Sequence, residues 1–140
     1  MKVILKNPGP NINGNIYTSE CLEKIANSLK DKELIGENNP PFKKINPCET
    51  IKRMSTIDLS NAACKIKNIR YKDGNIVGDI KILDDNIKQL IDEGLSYSFG
   101  LRGIGEISKD KLVDPVTFQV ITFDLITDPD LIWPPLIKDN

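Results

Sequence analysis

Apolar residues recur at Leu22, Ile25, Ala26 and Leu29, the i, i+3, i+4, i+7 spacing of a helix with one buried face. Thr18 or Ser19 supplies a cap, so the spacing predicts a helix over 19–30. A second helical stripe, Ile87, Leu90 and Ile91, follows Asp84-Asp85-Asn86 as cap and stops at Gly94. Elsewhere the period is two. Val3 to Lys6 reads as a short strand broken by Asn7-Pro8-Gly9-Pro10, and Asn13-Gly14 marks a tight turn into a brief extended piece ending at Tyr17. Cys64, Ile66, Ile69 and Tyr71 precede Asp73-Gly74, and Ile76, Gly78, Ile80 and Ile82 alternate after it, which is a hairpin over 63–83. The slip between Ile66 and Ile69 predicts a bulge at Lys67-Asn68. Residues 31–49 hold three prolines and read as a long surface loop, and 51–59 as a strand with Met54 and Ile57 turned inward. Thr117 to Thr127 is apolar on both faces, the pattern of a strand covered on both sides, and Asp128-Pro129-Asp130 ends it.

These elements give an α+β, mainly β, fold: six or seven largely antiparallel strands in a closed or nearly closed barrel-like core, flanked by two helices. The 140 residues form a single domain, 1–140, long enough to fold on its own core. With 19 basic and 20 acidic residues the net charge is −1, so bulk electrostatics draw the chain to neither nucleic acid nor a membrane. The basic residues, among them Lys43-Lys44 and Lys52-Arg53, are scattered among acids and read as solvated faces. No stretch approaches the roughly 20 apolar residues of a membrane span, and the N-terminus is too short in its apolar part for a signal peptide. Three cysteines without C-x-x-C spacing, Cys21, Cys48 and Cys64, read as reduced thiols in a cytosolic protein. No phosphate loop, zinc spacing or dinucleotide fingerprint occurs, so no cofactor or metal is expected; Asp128 and Asp130 are too few for a calcium loop.

Candidate chemistry concentrates in residues 94–105. Alternation puts Tyr97, Phe99 and Leu101 on one face, and Ser96, Ser98, Gly100 and Arg102 on the other. Gly100, Gly103 and Gly105 leave room for another chain or a ligand near the main chain. A serine beside a fixed positive charge suits acyl transfer if a base is in reach, and the chain has no histidine. Lys65 and Lys67 are the alternative bases, and also read as the solvated face of a strand. Arg102 is either ion-paired or a clamp for an anion or carbonyl in a peptide groove.

In order along the chain, "NINGNIYTSECLEKI", "DGNIVGDIKIL", "IKQLIDEG", "GLRGIG" and "FQVITFDLITDPD" resemble landmarks of the capsid-maturation (prohead core) serine proteases of tailed bacteriophages, over about residues 7–130. The resemblance implies the antiparallel β-barrel shared with herpesvirus capsid proteases. The catalytic positions depart from it. "GENNP" places Asn39 where the family's Gly-Glu-x-x-His-Pro element has histidine, and "ACKI" places Cys64 at the histidine of its Ser-His-x-Ile element. In one register the nucleophilic serine falls on Gly100, by S-x-R-G; in a second, by S-[FY]-G-[FY], it falls on Ser98.

The resemblance therefore implies a pseudo-protease. Ser98, Gly100, Cys64 and Asn39 are its vestigial positions, and Arg102, Gly103 and Gly105 its candidate binding residues. Such a protein would act by binding phage capsid or scaffold and core proteins, in the host cytoplasm during infection and in the prohead or virion, with self-association left open. Two alternatives stand beside it. One is an active, atypical serine endopeptidase of capsid maturation using Ser98. The other is a viral protein reusing the fold to bind a host factor through the 31–49 loop or the Trp133-Pro134-Pro135 tail.

Overall fold

The computed structural model describes residues 1–11, 13–40 and 47–128, with side chains left out at 47–50. Lys43-Lys44, the Cys48 side chain, Asp130 and the Trp133-Pro134-Pro135 tail therefore lie outside the described residues. In chain order the elements are β1 (Lys2–Lys6), β2 (Gly9–Pro10), β3 (Ile16–Tyr17), α1 (Ser19–Ser28), β4 (Leu34–Glu37), α2 (Pro47–Met54), a 3₁₀ turn (Leu59–Asn61), β5 (Ala62–Lys72), β6 (Asn75–Ile82), α3 (Asp85–Asp92), β7 (Ser98–Ile104) and β8 (Gln119–Ile126).

Local chemistry sets most of these boundaries. The Thr18 hydroxyl accepts the Cys21 N–H at 3.0 Å and starts α1. Asp84 accepts from the N–H groups of Asn86 and Ile87 and starts α3. Gly94, at φ +106°, closes that helix in a conformation a Cβ disfavours. Asp73 and Gly74, both at positive φ, make the β5–β6 turn, as a two-residue hairpin of matching twist requires. The register of that hairpin slips between Lys67 and Arg70, at the predicted bulge, with Asn68 at φ +54°.

Four antiparallel strands form one sheet in the order β1-β6-β5-β4; β2 pairs with β3, and β7 with β8. The β7–β8 ribbon lies against β4. Asn38 bridges Leu125, the Asn39 N–H reaches Leu125 O at 3.0 Å, and Thr122 Oγ1 donates to Ile35 O at 2.7 Å. Leu22, Ile66, Ile76, Phe123 and Leu125 fill the space under the sheets with no exposure, and Tyr17 meets Phe118 edge-on.

The mainly β, antiparallel α+β class holds, and three expectations are corrected. The strands do not close into a barrel: among the described residues β1 and β7 lie against each other but no ladder joins them, and Tyr97 Oη approaches Met1 Sδ at 3.9 Å on that side. Residues 51–59 are not a strand. Pro47 occupies the first position of α2, where its missing N–H costs nothing, and Met54 is buried from the helix end. That adds a third α-helix. Within the expected 31–49 loop, Leu34–Glu37 is a strand whose partner, β5, lies some thirty residues on.

Candidate functional site

The densest polar chemistry is buried where β4, α2, β7 and β8 meet. Glu37 ends β4, Arg102 sits in β7 and Asp124 in β8, and all three are fully buried. Arg102 donates from Nε to Asp124 Oδ2 at 2.9 Å and from Nη2 to Oδ1 at 2.6 Å, the two-point grip that matches a guanidinium to a carboxylate. Nη2 also reaches Glu37 Oε2 at 2.9 Å, and Nη1 donates to the carbonyls of Met54 and Thr56. From α2, Arg53 grips Glu37 through Nη1 to Oε2 at 3.0 Å and Nη2 to Oε1 at 2.6 Å. The Asp58 N–H and Asn61 Nδ2 also donate to Glu37, and the Glu37 N–H donates to Asp124 Oδ1.

Two cations and two anions thus cancel, three of them fully buried and Arg53 closing the cluster on its solvent side. Burial alone would raise the Glu37 carboxyl, but donors from Arg53, Arg102, Asp58 and Asn61 outweigh it and hold it at about 2. Burial raises Asp124, against the pull of Arg102. Among the described residues no buried side-chain nitrogen or oxygen lacks a partner. The cluster welds α2 and the turn after it onto the β4–β8 seam. Every donor direction of Arg102 is taken by groups of its own chain.

The other positions singled out by sequence are distributed around this cluster. Ser98 is exposed at the start of β7 opposite Ile126, and Gly100 stands opposite Asp124. Among the described residues no hydrogen bond joins Ser98 to Cys64, Asn39 or Arg102. Cys64 has no exposure; it pairs with Gly36 on one side and Ile82 on the other, and burial pushes its thiol up to about 12. Asn39, at φ +43°, donates from Nδ2 to Thr127 Oγ1 at 2.7 Å, while its Oδ1 accepts from the N–H groups of Thr127 and Asp128. It tacks the end of β8 to the end of β4. Gly103 and Gly105 are both closed over by this chain's own Phe118: a Cβ at Gly105 would come within 2.7 Å of Phe118 Cα, and one at Gly103 would strike the ring. Lys65 is paired with Glu33 at 3.0 Å.

Asn39 and Ser98 therefore flank the same end of β8, while Cys64 faces the core beneath β4. Asp124 and Glu37 are the partners that sequence reading passed over. Their signal is chemical: a carboxylate inside the apolar run Val120 to Ile126 needs a cation to be buried there.

Neither a protein-family profile nor a curated protein sequence matches the chain. Among solved structures it is similar to the bacteriophage T4 capsid assembly protease, gp21. The TM-score is 0.69 at 18% sequence identity, over 90% of this chain and 79% of that one. At that identity the likeness establishes the fold, which is prohead-protease-like.

Proposed function

We propose that this chain serves in the assembly of a phage head, as a protein with the capsid-protease fold that binds other head or prohead-core proteins and does not cut them. The observation that carries this reading is Cys64. It occupies the position where the resemblance expects histidine, and it is sealed in the core with its thiol held protonated. Asn39, at the second such position, spends both ends of its amide on Thr127, just past the end of β8. With no histidine in the sequence, a serine hydroxyl lacks the base that contributes roughly 10²–10⁴-fold to such chemistry.

The opposing reading, an atypical endopeptidase, draws on the exposure of Ser98. A fluorophosphonate probe separates the two, because only an activated hydroxyl is labelled. The expected result is no labelling, and no cleavage of the phage's scaffold and capsid proteins on incubation with the purified chain. Labelling or cleavage that disappears in Ser98→Ala would establish the protease. The host-factor reading rests on the 31–49 loop and the Trp133-Pro134-Pro135 tail, of which residues 41–46 and the whole tail lie outside the described residues.

A further inference from the structure

We infer that the cleft between α3 and the outer face of the β5–β6 hairpin is a docking site for an acidic, amphipathic segment of a protein partner. The inference rests on the binding role proposed above and names the surface that would perform it. The cleft has a volume of about 820 Å³, within the range of built ligand sites.

Its rim is basic in a chain that is not. Lys65, Lys67, Lys81 and Lys88 face Asp79 and Asp92, and Glu33 stands on Lys65, so four positive side chains meet three negative ones for a local +1, against −1 for the whole protein. The arrangement also carries a repulsion. Lys65 and Lys81 stand directly opposite each other in the β5–β6 ladder, a placement that destabilises an isolated hairpin. Glu33 relieves Lys65 at 3.0 Å. Lys81 has no such carboxylate among the described residues. Anionic side chains from outside would relieve it.

The floor is apolar and incompletely covered. Of the α3 stripe, Ile87 is buried, Ile91 lines the cleft half-covered, and Leu90 is 49% exposed beside it. Across from the helix, Ile82 and the 42%-exposed Leu83 extend the same surface. A stripe of this kind is ordinarily buried against something. Apolar anchors at helical or alternate spacing, flanked by Asp or Glu, match floor and rim together. A nucleic acid matches only the rim: it offers nothing to the apolar floor of Ile82, Leu83 and Ile91, and the cleft lining has no aromatic side chain on which a base would stack.

The test uses the full chain, ¹⁵N-labelled, and an acetylated peptide with leucines at i, i+3, i+4, i+7 spacing and glutamates elsewhere. A lysine-for-glutamate copy of the peptide and a single-stranded oligonucleotide are the controls. Saturable amide shifts confined to Lys67, Lys81, Ile82, Lys88 and Ile91 are expected with the acidic peptide. The double variant Lys81→Glu/Lys88→Glu should bind it at least tenfold more weakly with an unchanged melting temperature, since a carboxylate introduced at position 81 would face Lys65 favourably. Shifts elsewhere, equal binding of the lysine peptide, equal binding of the oligonucleotide, or a peptide response that only reports dimerisation of the chain would each overturn the inference. Mass spectrometry of the recovered peptide keeps the two proposals apart. A cut peptide with shifts in the cleft removes the binding-only reading and leaves the docking site; an intact peptide without them does the reverse.

Discussion

Arg102 and Asp124 grip each other at two points, 2.9 and 2.6 Å, diagonally across the β7–β8 ladder and with no solvent exposure on either side chain. Arg102 is two register steps past the Gly100–Asp124 pair, on the same face of the ribbon, so the guanidinium lies along the ribbon and its far edge turns to Glu37. A pair of this kind adds less net stability than its geometry suggests, because both ions give up water. Breaking it is another matter.

Removing Arg102 alone leaves two buried carboxylates with Arg53 as their remaining cation in the cluster. Arg102→Met is expected to cost about 3–5 kcal/mol, read from the urea midpoint at unchanged m-value. Asp124→Leu should cost a similar amount. The double variant should cost clearly less than the sum, since each single change strands the other's charge. Additive losses would mean that the contact contributes nothing beyond packing.

Acid should act on this cluster through Glu37. Its carboxyl titrates at about 2 in the folded chain against an ordinary 4.5, so the folded state resists a proton that the unfolded state accepts. The resulting stability is fully present above pH 4.5 and is lost as pH falls through about 2. Asp124 runs the other way: raised by burial, it takes a proton in the folded chain first and offsets part of that loss. Urea titrations across this window should show wild-type stability falling with pH, and Glu37→Gln, though weaker at neutral pH, falling less steeply. Parallel slopes would remove Glu37 from the acid response.

How much of this was legible beforehand follows from the distance over which each feature is decided. The caps Thr18 and Asp84, the Asp73-Gly74 turn and the bulge at Asn68 are settled within four residues, and the sequence displays them. β4 is not: Leu34 and Ile35 are its only large apolar residues, and its pairing with Ile66 and Lys65 comes from far along the chain. α2 is as long as α3 but has only Ile51 and Met54 as large apolar residues, against Ile87, Leu90 and Ile91 in α3, so no helical stripe emerges from it. For Arg102, strict alternation says only which side of β7 it leaves from. Whether that side is solvent or core depends on Glu37, 65 residues away, and on Asp124, 22 away.

The glycines behind β7 give a graded test of what they accommodate. A Cβ at Gly105 meets Phe118 backbone, whereas one at Gly103 meets chiefly the end of the Phe118 ring, with Gln119 O at 2.7 Å. Both alanine variants should lose about 1–3 kcal/mol by overpacking. Phe118→Leu should return part of the Gly103→Ala loss and none of the Gly105→Ala loss. Gly36→Ala should be worse than either, because its Cβ would press on the Phe123 carbonyl and on Cys64 Sγ at once. Equal rescue at both β7 positions would show that the ring is not what fills the space.

Cys64 lies behind that same contact, and its chemistry follows from it. With a thiol at about 12, only about one part in ten thousand is thiolate at pH 8, and no surface is open to a reagent. Iodoacetamide should therefore leave Cys64 unmodified in the folded chain and alkylate it readily in urea, with peptide-level mass spectrometry distinguishing it from Cys21 and Cys48. Fast native alkylation at this residue would contradict the sealed position on which the binding-only reading leans. The same packing governs the reverse experiment. An imidazole at position 64 would have to fit where the thiol already crowds Gly36, with its ring nitrogens carried into the core. Cys64→His is thus expected to lower stability by about 1–3 kcal/mol and to leave Ser98 unlabelled by a fluorophosphonate, because position 64 is sealed in the core while the Ser98 hydroxyl is exposed.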